Sequence, residues 1–71
     1  MIKNIKIFSN NTIKSIDTVN LIKEKFSNRG FEIKDKEYDL AIAVGGDGSF
    51  LKMIHSNNFN DNIYYVGINS G

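Results

Sequence analysis

Gly45-Gly46-Asp47-Gly48 stands between an apolar run and a segment of helical spacing, an order suited to handling a phosphate group. Glycines there allow positive φ and let a phosphate approach backbone amides with no Cβ in the way. The amino terminus of a following helix adds N–H donors and a dipole that favours an anion. Asp47 is the odd member, because a carboxylate repels a phosphate unless a cation intervenes or the carboxylate has its own task. Two tasks fit: accepting the proton of an attacking hydroxyl, or helping to hold a divalent metal through water. The order departs from the G-x-x-x-x-G-K-[ST] phosphate loop, and Leu51 stands where a dinucleotide fingerprint has its third glycine. On spacing alone, a tight strand-to-helix turn with Asp47 or Ser49 capping the helix explains the segment equally well.

Leu40-Ala41-Ile42-Ala43-Val44 reads as a central strand buried on both faces of a parallel sheet, which would put the glycines at its carboxyl end. Ligands of open α/β sheets bind beyond those ends. Phe50, Leu51 and Ile54 continue with helical spacing to about His55, and Ser56 to Asn62 forms a polar loop. Upstream, Ile5, Ile7 and Phe8 predict a first strand ending at Ser9-Asn10-Asn11. Ile13, Ile16, Val19, Ile22 and Phe26 predict one amphipathic helix, opened by Thr12 or Asn11 and closed by Gly30. Phe31-Glu32-Ile33 predicts a short second strand before the charged turn Lys34 to Glu37, and residues 63–68 predict the last strand. The order strand, helix, strand, strand, helix, strand gives an α/β class with a mainly parallel sheet.

With 71 residues the chain holds one small domain or part of one. It has no Cys, so neither a disulfide nor a Cys-ligated zinc supports the core. A net charge of +1, carried by scattered Lys and Glu residues, offers no basic stripe for nucleic acid and no polybasic membrane patch. Met1-Ile2-Lys3-Asn4-Ile5 carries charge within its apolar stretch and has the pattern of neither a signal peptide nor a spanning helix, so a cytoplasmic location is expected. His55 has no second His, no Cys and no acidic partner at ligand spacing, and reads as a surface or helix-end residue. Tyr64 and Tyr65 could stack on a base, but adjacent strand positions face opposite ways, so at least one of them is expected simply to pack in the core. Ser9 and Asn10 could reach a ligand at the strand ends, or simply form a turn.

Gly45-Gly46-Asp47-Gly48-Ser49, preceded by Asp39 to Val44, resembles the G-G-D-G-[ST] signature shared by NAD kinases, diacylglycerol-type lipid kinases and phosphofructokinases. The continuation Phe50-Leu51-Lys52-Met53-Ile54-His55 and the segment Val66-Gly67-Ile68-Asn69-Ser70-Gly71 are similar to NAD kinases in particular. The resemblance implies a Rossmann-like sheet with flanking helices, forming the N-terminal part of a two-domain kinase. Residues 1–71 would be an incomplete N-terminal α/β domain without the β-rich NAD-binding domain. It further implies ATP, NAD and Mg²⁺ as ligands, small-molecule nucleotides as partners rather than nucleic acid or membrane, and a homo-oligomer in the full-length protein. Asp47 would be the general base that deprotonates the adenosine ribose 2′-hydroxyl of NAD. Gly45 and Gly46 would shape the phosphate loop, Gly48 and Lys52 would contact the nucleotide, and Asn69 would sit near it. A lipid kinase, or a small nucleotide-binding module without turnover, is the alternative.

Overall fold

A computed structural model describes residues 2–10 and 12–69. The elements are β1 (Asn4–Ser9), α1 (Ile13–Asn28), β2 (Glu32–Ile33), β3 (Leu40–Gly45), α2 (Asp47–Ser56) and β4 (Tyr64–Asn69). The strands form one sheet in the order β2-β1-β3-β4, with every pairing parallel. The expected α/β, Rossmann-like arrangement is therefore present.

The register explains the two layers. Ile5 pairs with Leu40, Ile7 with Ile42, and Ala41 and Ala43 pair across to Tyr65 and Gly67. Side chains alternate across a strand, so Leu40, Ile42 and Val44 share one face and Ala41 and Ala43 the other. The large side chains meet Val19, Ile22 and Phe26 of α1 together with Ile5. The alanines leave room for α2 to approach closely, and Met53 fills that space with no exposed surface. All of β3 is buried, as its continuous apolar run predicts. Right-handed crossovers from β1 out to β2 and from β3 out to β4 run in opposite directions along the sheet, which puts the two helices on opposite faces.

Helix α1 starts at Thr12, whose hydroxyl oxygen accepts the Ser15 N–H at 3.2 Å; the alternative cap, Asn11, lies outside the described residues. Its end is a Schellman closure. Gly30 has φ +89°, its N–H reaches the Ser27 carbonyl, and the Phe31 N–H reaches the Phe26 carbonyl at 3.1 Å. The Phe26 and Phe31 rings then meet edge to face at 5.4 Å. One expectation is corrected and one alternative is ruled out. The sheet-facing stripe of α1 runs through buried Ser15 and half-buried Val19, Ile22 and Phe26, whereas Ile13 and Ile16 are exposed; the Ser15 hydroxyl lies 2.9 Å from that of Thr12. Helix α2 begins at Asp47, directly after the capping residue Gly46, with no side-chain capping bond, so the alternative in which Asp47 or Ser49 caps it does not hold. Of the two tyrosines, Tyr65 packs beneath α2, as at least one was expected to, and Tyr64 lies on the opposite face of the edge strand, where it stays 67% exposed.

The amino ends of β1 and β3 are tied by one carboxylate. Asp39 accepts the backbone N–H groups of Lys3 and Asn4 at 3.2 and 3.1 Å. These two donors hold its carboxyl below the usual carboxylate range.

Candidate active site

β1 and β3 are neighbours whose crossovers depart in opposite directions, so their carboxyl ends border the switch point at which open α/β sheets bind ligands. β3 runs into the glycine segment there. Gly45 has φ +144°, and a Cβ at this residue would come within 2.7 Å of Ser49 Oγ and 2.8 Å of Asn10 Nδ2. The φ value favours glycine here, and a Cβ would have to displace those two side-chain ends. At Gly46 and Gly48 nothing lies within 4 Å of where a Cβ would stand, so the backbone there is open to an incoming group. In the first turn of α2 the Ser49 and Phe50 amides donate to the Gly46 carbonyl at 3.1 and 3.4 Å, and helix geometry leaves the Asp47 and Gly48 amides to face an incoming group.

A cleft of about 220 Å³ lies beside the segment, lined by Gly45, Gly46, Asp47, Phe50, Gly67, Ile68 and Asn69. The structure thus brings four of the sequence-predicted residues together: Gly45, Gly46, Asp47 and Asn69. Gly48 lies next to them, exposed in the first turn of α2. Lys52 is placed elsewhere. Five helical residues turn it about 140° from Asp47, and it lines a separate cavity of about 150 Å³ with Phe8, Ser9 and Ser49 at the end of β1. Ser70 and Gly71, the end of the second resemblance motif, lie outside the described residues.

Two residues without a predicted role shape the cleft. A Cβ at Gly67 would meet Cδ1 of the Phe50 ring at 2.9 Å, so the ring rests directly on the β4 backbone and forms part of the cleft wall. The available signal was a glycine inside a strand pattern, which marks close backbone approach. A larger cavity, about 730 Å³, opens around Tyr38, Asn57 and Asn62. It lies by the carboxyl end of α2, where the helix dipole disfavours an anion. The glycine cleft is accordingly the better candidate despite its smaller size.

His55 packs its ring against Phe59 at 5.1 Å, and among the described residues no group of three or more His, Cys, Asp or Glu side chains could hold a metal. Among the same residues, no helix is long and apolar enough to cross a membrane.

Comparison with known proteins bears on this geometry. No protein-family model matches the chain. Curated relatives do match it: NAD kinase of Finegoldia magna is 36% identical over 72 residues, covering 97% of this chain. The chain is NAD kinase-like along nearly its whole length. NAD kinase of Streptococcus gordonii is 34% identical over 70 residues, again 97% of the chain, and that of Saccharolobus islandicus is 40% identical over 53 residues, 75% of the chain. The matched part is 26%, 26% and 21% of those relatives, so this NAD kinase-like chain spans about a quarter of their length.

Proposed function

We propose that this chain supplies the phosphate-handling part of an NAD kinase active site, with ATP as phosphoryl donor and the adenosine ribose 2′-hydroxyl of NAD as acceptor. The observation that carries the reading is the convergence of Gly45, Gly46, Asp47 and Asn69 on one cleft beyond the carboxyl ends of β3 and β4. Backbone amides of the glycine segment and the first turn of α2 receive phosphate oxygens. Asp47 takes the proton of the 2′-hydroxyl as its oxygen bonds to the γ-phosphorus; the bond from that phosphorus to the β–γ bridging oxygen breaks, and ADP leaves. Positioning and charge stabilisation contribute most to such a transfer, which suits a site built of amides and one carboxylate.

Mg²⁺ fits this donor set. It commonly binds through one or two carboxylates plus substrate phosphates and water, and Asp47 offers the carboxylate in the cleft. When bound it neutralises phosphate charge. Lys52, on the far side of α2, would meet an extended nucleotide that reaches past the end of β1. The β-rich domain implied by the sequence resemblance would hold the rest of NAD. The names of the curated relatives favour NAD over a lipid hydroxyl as acceptor.

The test joins residues 1–71 to the remaining three quarters of the Finegoldia magna relative and assays NADP formation from NAD, ATP and Mg²⁺. Asp47→Asn should lower kcat by about 10²-fold or more while ATP affinity changes by only a few-fold. Turnover equal to wild type in Asp47→Asn would remove the general-base role.

A further inference from the structure

Asn10 lies across the switch point from the glycine segment and is held there from three sides. Its N–H donates to the Val44 carbonyl at 3.3 Å, which ties the exit of β1 to the exit of β3. Its own carbonyl accepts the Ser9 hydroxyl at 2.6 Å. The Thr12 hydroxyl donates to Asn10 Oδ1 at 3.1 Å. With Oδ1 on the Thr12 side, Nδ2 is turned to Gly45, 2.8 Å from where a Cβ would stand. Ser49 Oγ reaches the same point from α2 at 2.7 Å. Two side-chain donors from separate elements therefore flank the first glycine of the loop.

We propose that Asn10 is a ligand-contacting residue whose Nδ2–H donates to a phosphate oxygen seated on the Gly45-Gly46 segment, on the β1 side of the loop. This rests on the phosphate reading above. A carboxamide suits the task because it donates without charge, and Asn10 is exposed at the sheet end, where an incoming anion can reach it. Asp at this position has the same shape and can still accept from Thr12, but it replaces the donor with a negative charge. Ala removes both functions.

The experiment titrates ATP, and separately pyrophosphate, into the 71-residue chain, following amide resonances by NMR at low and at physiological salt. Asn10→Ala should weaken both ligands by about tenfold, the effect of one hydrogen bond to a charged group. Asn10→Asp should weaken them further and lose more affinity at low salt than at high, because screening moderates the repulsion. The thermal midpoint of Asn10→Asp should stay within about 2 °C of wild type, a scale that corresponds to well under 1 kcal/mol in a domain of this size. A purely structural Asn10 would move the midpoint and leave no salt-dependent difference between the Asp and Ala variants. Wild-type affinity in both variants overturns the proposal and leaves the phosphate reading standing. Failure of the wild-type chain to bind either ligand removes both.

Discussion

Gly45→Ala and Gly46→Ala form a matched pair, since the same methyl group is added at adjacent positions of one loop. At Gly45 the backbone has φ +144°, outside the regions open to an L-residue. Holding such a conformation costs about 1–3 kcal/mol. The added Cβ also lies 2.7 and 2.8 Å from Ser49 Oγ and Asn10 Nδ2, but both are side-chain ends that can swing away. Against this, Ala restricts the unfolded chain and returns about 0.4–1 kcal/mol. The net expectation is a loss of about 1 kcal/mol. At Gly46, φ is −102° and nothing lies within 4 Å of the new Cβ, so strain is absent. There the unfolded-state gain opposes the poorer helix capping of Ala relative to Gly, leaving a change of about 0.5 kcal/mol or less. Urea unfolding followed by circular dichroism reads the difference. With a slope near 1 kcal/mol per molar urea, the Gly45→Ala midpoint should fall about 1 M below wild type, and Gly46→Ala should stay within about 0.5 M. Equal midpoints for the two variants would refute the assignment of Gly45 as the conformationally constrained member of the loop.

Two further outcomes test the scaffold. Met53→Ala should destabilise by about 2–5 kcal/mol in the same assay, because the side chain is fully buried against Ala41 and Ala43 and neither alanine can fill the space. Asp39 makes stability depend on pH: its folded pKa is depressed, so the unfolded chain takes up a proton first as pH falls. Its contribution is complete above the unfolded carboxylate value near 4 and is lost as pH falls through the lower folded value. Asp39→Asn should flatten that part of the stability profile; an unchanged acid limb, measured by thermal unfolding from pH 6 downward, would count against the two backbone hydrogen bonds as its cause.

The catalytic reading and the Asn10 proposal divide the site between two elements. Asp47 is placed by α2, which begins at that residue, and Asn10 by the end of β1. The loop between β3 and α2 faces both. A nucleotide crossing the switch point would meet Gly45 and Gly46 from either side, with Asp47 and Asn69 toward β4 and Asn10 toward β1. This arrangement follows from the sheet order, since only β1 and β4 flank β3.

Local patterns in the chain were sufficient where one short-range rule governed the outcome. Gly30 ends α1 in the conformation that glycine favours, and the apolar run from Leu40 to Val44 becomes the fully buried strand. The α/β class and the place of the glycine segment at a strand end were legible for the same reason: periodicity and glycine placement act over a few residues. Which apolar residues of α1 are buried was not legible. Ile13 and Ile16 fit the helical spacing as well as Val19 and Ile22 do, and the choice depends on which side of the helix the sheet meets. Which of Tyr64 and Tyr65 packs was not legible either, because a strand pattern does not reveal that its strand lies at an edge beyond the reach of α1.

The four-residue glycine segment was visible from the sequence by itself, as was its demand for a backbone that side chains would obstruct. Its partners were decided by tertiary structure. Parallel pairing brought Asn69 to the end of β4 beside Gly45, the early start of α2 set Asp47 in the first turn, and helical rotation carried Lys52 around to the β1 side. Asn10 is 35 residues from Gly45 along the chain and meets it because β1 pairs directly with β3. Residue spacing encodes only contacts within an element; contacts across the switch point require the order of the strands.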